Sequence, residues 1–411
     1  MKKIFKTNIL TPVSAEETKL LTNVFITVSK TKIIEISKEK PDTKYADFTN
    51  CICIPGLIDT HVHLSQFNAI GKHRPNLLDW LNDFIFAEEY KSIDETYARK
   101  VAADFFTESV KSGTTTSVIY TAPFKQACEA AFEVAEEFGV RALIGKTMMD
   151  QNSPEFLQED TFKSFKESVE LYNKYNSSCP LLEYIFSPRF APVCSPKLMK
   201  LVGGFAKENN AYIQTHLSEN TDELKWVKEL FPECNSYTQV YEKYNILGEK
   251  TILGHAIHLS KKELQIIFGT NSKIAHCPDS NFFLRSGILP LEKIKNSNID
   301  FALASDVAAG TSLSMFNVMK MFVYRQDDVA VTPEEAFYSA TLGGAKLLGK
   351  EDILGSVEVG KEADLVFIQI QNIKEKTKTG ILSELVYLGS QKIIENVVIA
   401  GKSVLKINLD L

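Results

Sequence analysis

No apolar run in this sequence approaches the ~20 residues needed to cross a membrane. The basic N-terminal stretch MKKIFKTNILTP lacks the continuous apolar centre of a secretory signal. There is no long Lys/Arg block and the formal net charge is −6, which argues against nucleic acid or an anionic membrane as the main partner. Cysteine is sparse: the 7 residues are odd in number and none forms a C-x-x-C pair. The expectation is a reduced, soluble, cytoplasmic protein whose thiols are free and mostly in the core. Low-complexity tracts and close sequence repeats are absent too. Histidine is scarce, with 7 in 411 residues. Yet two of them, His61 and His63, stand one residue apart where the apolar stretch PGLIDTHVHLSQ turns polar.

What is present is a chain that is 44% hydrophobic, enough for a large core, with a repeated pattern. Eight short β-branched runs read as core strands: ICIPGLIDTHVH, TTTSVIYTA, RALIGKTMM, LEYIFSPRF, AYIQTHLSE, TILGHAIHL, SKIAHCPDS and IDFALASDV. Stretches of helical period lie between them, such as TYARKVAADFFTESVKSG and QACEAAFEVAEEFG, each stopped by glycine. Strand–helix alternation implies parallel strands with helical crossovers. Eight such units predict an α/β fold, a TIM (β/α)8 barrel over residues 55–354. Residues 1–54 and 355–411 differ. They carry strand-like pieces (NVFITVS, KIIEIS, CICI; GSVEVGKEADLVFIQI, ENVVIAGKSVLKI) and little helical period. Neither end is long enough to stand alone, so one small β-sandwich built from both termini is expected.

In a TIM barrel the C-terminal ends of the strands line one mouth. The first run ends in His61 and His63, and the fifth in His216 with Glu219 just beyond. The sixth carries His255, the seventh His276, and the eighth ends in Asp306. Residues two apart on a strand face the same way, so His61 and His63 point together and Val62 points away. With His216 and Asp306 they predict a four-ligand nitrogen/oxygen site for one divalent metal, which suits zinc, with iron also possible. Water as a further ligand makes such a site catalytic. His276 in HCPDSN is read as a core histidine or as a group behind or beside the site. His258 and His73 have no strand-end logic and are read as structural or surface residues. Asp59 is expected to support the His61–His63 segment, and GTTTS (113–117) to be a tight turn into a strand.

PGLIDTHVH, THLSEN, GHAIHLS, AHCPDSN and ASDVAAG together resemble the amidohydrolase superfamily, metal hydrolases on a distorted TIM barrel. GSVEVGKEADLVFI is similar to the return that family makes into its terminal sandwich. The Ser-Gln after H-x-H and the Pro-Arg-Phe on the fourth strand bring the resemblance closest to the branch that deaminates purines and other azines. Binuclear members carry a lysine at the end of strand four. Here that place holds Pro188-Arg189-Phe190, and Lys146 on the third strand is read as a structural cation, so one metal is expected. The other deaminase fold, with its H-x-E and P-C-x-x-C signature, is absent.

The resemblance implies hydrolysis of guanine to xanthine and ammonia. Asp306 would touch the metal and take the water's proton, His255 would orient the water, and Glu219 would shuttle protons as general acid/base. Gln66, Arg189 and Phe190 would hold the purine, beside His216 and Asp306. Arginine's paired donors match the O6 and N7 acceptors of guanine. The plainer readings are a helix-capping role for Glu219 in SENTDE and a rim salt bridge for Arg189. Another azine (8-oxoguanine, a triazine, an adenosine derivative) is the alternative substrate. A non-enzymatic barrel would be expected to lose metal ligands, and this chain keeps all of them. The resemblance also implies a homodimer.

Overall fold

The structure is a computed structural model and describes residues 2–176, 178–369 and 377–405. Four N-terminal strands, β1 (Lys2–Pro12), β2 (Thr18–Ser29), β3 (Lys32–Ser37) and β4 (Ala46–Pro55), precede the barrel. The barrel strands are β5 (Leu57–His63), β6 (Thr114–Thr121), β7 (Arg141–Met148), β8 (Leu182–Pro188), β9 (Tyr212–Leu217), β10 (Thr251–His255), β11 (Lys273–His276) and β12 (Phe301–Leu303). They form one eight-stranded sheet in sequential order, and every ladder in it is parallel. The seam between β12 and β5 is closed by separate bonds: Thr60 Oγ1 donates to Leu303 O, Asp306 N to His61 O and His63 N to Val307 O. This is the distorted TIM barrel the eight apolar runs predict. Most of its strands are buried along their whole length, because helices cover one face and the barrel interior the other. The helix expected from TYARKVAADFFTESVKSG spans Glu95–Lys111. Asp94 caps it by accepting from Tyr97 N at 2.9 Å, and Gly113 at φ +80° turns the chain into β6.

One residue from each barrel strand fills the lower interior: Ile58, Val118, Leu143, Ile185, Tyr212, Ile252, Ala275 and Ala302 make a single apolar layer. Counting by twos from this layer shows which strand-end residues reach the mouth. Arg189 follows Ile185, His216 follows Tyr212 and Asp306 follows Ala302, all in phase. His276 is out of phase with Ala275 and packs outward on Phe322, its rings 5.4 Å apart. Lys146 is out of phase with Leu143 and is buried against Glu159 and Ser164, the structural cation expected. His61 and His63 would also be out of phase with Ile58. An extra residue between Asp59 and Val62, opposite Ser117 and Ile119, resets β5 and turns both histidines inward. His255 is out of phase with Ile252, and its left-handed backbone (φ +66°) brings its ring back in.

β13 (Leu365–Gln369), β14 (Ile394–Ile399) and β15 (Lys402–Ser403) join the N-terminal strands in a second sheet, ordered β15-β14-β13-β4-β1-β2-β3. The two termini therefore build one unit, as expected. It is a single hydrogen-bonded sheet whose two ends share a core: Ile33 on β3 and Val398 on β14 lie in one apolar cluster. Ile370, Lys406 and Ile407, at the ends of two expected strand pieces, lie outside the described residues. Helix Lys378–Leu388 departs from the expectation of little helical period here. It buries Ile381, Leu382, Leu385 and Val386 but leaves Leu388 exposed, so its apolar residues are not confined to the buried face and its sequence shows no clear polar stripe. Among the described residues no helix is long and apolar enough to cross a membrane. All 7 cysteines are free.

Candidate active site

The mouth of the barrel gathers four imidazoles around one carboxylate. His63 Nε2 lies 3.1 Å from His216 Nε2 and 3.3 Å from Asp306 Oδ1, and His61 Nε2 is 3.4 Å from the same oxygen. Bonds of about 2.0–2.1 Å to one ion at tetrahedral angles give ligand–ligand edges of about 3.3 Å. The separations thus fit a single ion held by His61, His63, His216 and Asp306. Neither ring nitrogen of His61 has a hydrogen-bond partner, although both are buried. Uncoordinated, that arrangement would be costly. His255 completes the group, and its ligand atom is also close enough to those of His61, His216 and Asp306 to share an ion. Its Nε2, however, faces the other side of the carboxylate, 3.7 Å from Asp306 Oδ2 and 3.4 Å from Glu219 Oε2.

The electrostatics suit a cation. Burial holds the His61 imidazole down to about 4, and burial with the neighbouring histidines holds His216 well below its ordinary value. Burial alone would raise Asp306, but His61 and His63 outweigh it and keep the carboxyl ionised. Neutral imidazoles and an ionised carboxylate are the protonation states a metal requires. Burial pushes the Glu219 carboxyl up to about 7, with Asp306 adding and His255 opposing. That places Glu219 in the range where a group both gives and takes a proton near neutrality.

Neighbouring groups hold the cluster in place. His216 Nδ1 donates to Arg189 O at 2.7 Å, which leaves Nε2 for the site. His63 stacks on Tyr120, with ring centroids 4.6 Å apart. Asp59 bonds Ser305 through N and Oγ and accepts from His61 N, so it ties β5 to the segment carrying Asp306. Asp59 thus supports the H-x-H segment as expected, through backbone rather than through a ring. Gly254 faces His61, and a Cβ there would sit 2.9 Å from His61 Cε1. Gly254→Ala should therefore displace that ring and lower metal occupancy several-fold while the barrel still melts cooperatively. Metal analysis of the purified variant checks this.

Gln66, Arg189, Phe190, Glu219, His255 and Asp306 line one pocket together with His63 and His216. Leu77, Trp80 and Leu81 come from short helices inserted after β5 and roof it. Phe190 packs edge-on against Trp226. His258 bonds Ser286 O and His73 bonds Phe283 O, so both have the structural roles expected. His276 stays outside the pocket and bonds Gln326.

Four site residues escaped sequence reasoning. Ser280 donates to Asp306 Oδ2, Asn281 accepts from His255 Nδ1 at 2.8 Å, and Ser286 Oγ donates to Glu219 Oε1 at 3.1 Å. Glu89 is the fourth: it pairs with Arg189 Nη1 at 2.7 and 3.0 Å and accepts from Gln66 Nε2 at 2.8 Å. The signal for the first two was the polar tail of HCPDSN after β11. Glu89 gave none, because it lies in a surface-like AEEYK run far from any strand end.

A buried histidine–aspartate cluster at a barrel mouth, beside a carboxyl whose pKa burial raises, fits a metal-dependent hydrolase. The family model for the amidohydrolase family matches residues 52–404, and the chain belongs to that family. It is 34% identical over 385 residues to the guanine deaminase of Escherichia coli K12, covering 90% of this chain and 86% of that protein. It is 36% identical over 375 residues to that of Dictyostelium discoideum, covering 87% of this chain and 83% of the relative. A crystal structure of guanine deaminase from C. acetobutylicum, with guanine bound in the active site, matches with a TM-score of 0.93 at 33% identity, covering 98% of this chain and 100% of that one.

Proposed function

We propose that the protein hydrolyses guanine to xanthine and ammonia, breaking the C–N bond of a cyclic amidine. The observation that carries the reading is one pocket that sets Arg189 and Gln66 opposite Glu219, His255 and the histidine–aspartate cluster. The likeness to guanine deaminases over nearly the whole chain supports it.

His61, His63, His216 and Asp306 would hold one divalent ion, which we take to be zinc because the donors are three imidazoles and a carboxylate. When bound, such an ion lowers the pKa of water from 15.7 to about 7. The remaining work falls to side chains. Asp306 offers Oδ1 to the ion and keeps Oδ2 turned toward His255 and Ser280, where it can take a proton from water. His255, with Nδ1 fixed by Asn281, directs Nε2 at the same spot and orients the water. Glu219 carries protons to the ring nitrogen and then to the departing ammonia. Arg189 donates to the purine oxygen, Gln66 meets the opposite edge, and Phe190 packs on the ring. We place the barrel at 55–354 and the composite sheet at 1–54 with 355–411. A cytoplasmic homodimer fits the free thiols and the family resemblance, and light scattering tests the dimer.

Adenine presents an amino donor where guanine presents O6, so Arg189 would face it donor to donor. A buried donor without its acceptor costs about 1–3 kcal/mol, more when charged. That is about tenfold or more at 1.4 kcal/mol per decade. Wild type should prefer guanine over adenine by at least that factor in kcat/KM. Arg189→Met should shrink the preference, mainly through lost guanine turnover. Adenine matching guanine in wild type, or intact guanine activity in Arg189→Met, contradicts the assignment.

A further inference from the structure

Glu89 sits 1% exposed on the short helix Phe86–Tyr90, outside the pocket lining and without a part in the chemistry. Its carboxylate nevertheless binds both residues assigned to the purine edges. Oε1 and Oε2 take Arg189 Nη1, and Oε1 also takes Gln66 Nε2. Its neighbour Glu88 is engaged elsewhere, with Lys72 and Lys91, and among the described residues Glu89 is the ion-pair partner of Arg189. Phe86, one turn earlier, packs on the guanidinium with its ring centre 5.4 Å from Cζ, and removes water from that side. The bond to Glu89 turns the Gln66 amide nitrogen toward the carboxylate, while its oxygen is set toward Ala308 N.

We propose that Glu89 is a positioning residue that determines specificity. It cancels the guanidinium charge and fixes the Gln66 amide, so that the Arg189 edge of the pocket favours a neutral oxopurine over an anionic one. This rests on reading the pocket as a purine site. A buried arginine without a partner selects anions, because only an opposite charge offsets its desolvation. With Glu89 in place, an anionic purine would gain nothing from the guanidinium at the edge where Arg189 meets it.

The test is Glu89→Gln, which keeps the shape, loses the charge and sets an amide donor against two donors. The probes are guanine as substrate and urate, a monoanion at neutral pH, as inhibitor. Metal content should stay at the wild-type level. KM for guanine should rise about tenfold with a smaller fall in kcat, while urate inhibits about tenfold more tightly than in wild type. Glu89→Ala also leaves the guanidinium uncompensated and must show the same reversal. Glu89→Asp keeps the charge and must not. If guanine and urate weaken together in Glu89→Gln and Glu89→Ala, or neither changes, Glu89 is a structural residue only and the proposal is overturned. Calorimetric titration with the two purines, in a Glu219→Gln background that slows turnover, reads the reversal on binding. A wild type that binds both but releases no ammonia from guanine therefore sinks the functional reading and leaves the role of Glu89 to be judged on binding.

Discussion

His63→Ala should lose metal and activity together. His63 Nε2 stands at two edges of the cluster, 3.1 Å from His216 and 3.3 Å from Asp306, whereas His255 Nε2 lies on the far side of the carboxylate, beside Glu219. Removing it leaves three of the four proposed ligands. The ring's stacking on Tyr120 is also lost, but the barrel core below does not depend on it. Turnover should fall by about 10³-fold or more, since the water's pKa returns toward that of bulk water. Metal analysis and ammonia release, measured on protein that still melts cooperatively, check the result. Stoichiometric metal with full activity would remove His63 from the site.

Glu219→Gln should do the opposite with the metal. Glu219 is held at the rim of the cluster by Ser286 and by the carboxylate of Glu223, which accepts from Glu219 N at 2.9 Å. It makes no contact that places it among the ligands, so metal content and folding should stay at wild-type levels. Turnover should drop by about 10²–10⁴-fold, the usual share of a positioned general acid/base. A fall of less than tenfold would mean that another group carries the proton. Glu223 is also the carboxylate of a capping box with Asn220, so the helix-start reading of SENTDE is correct one turn later. It does not displace Glu219 from the pocket.

The barrel was legible because its strands are buried on both faces and read as apolar runs, and because two of its helices stop at Gly113 and Gly139. The site was legible where strand phase and sequence spacing agree, as for His216 and Asp306. It was legible for His61 and His63 by their mutual spacing alone, since the bulge that turns them inward leaves no mark on a count by twos. His255 and His276 look alike at strand ends, and only the backbone separates them: a left-handed turn recovers the first, and phase sends the second outward. β1 was missed because MKKIFKTNILTP was weighed as a targeting segment, and its partners β2 and β4 follow later in the chain. Glu89, Ser280 and Ser286 act across long separations in sequence, through bonds that only the folded chain brings together.

Deamination of guanine in this pocket ties the metal cluster, Glu219 and Arg189 together. The direct measurement is the product balance of purified, metal-loaded protein with guanine, following xanthine by absorbance and ammonia by a coupled assay. One xanthine and one ammonia should form for each guanine consumed, with adenine turned over at least about tenfold less efficiently. No ammonia from guanine, alongside brisk hydrolysis of adenine or a triazine, would contradict it.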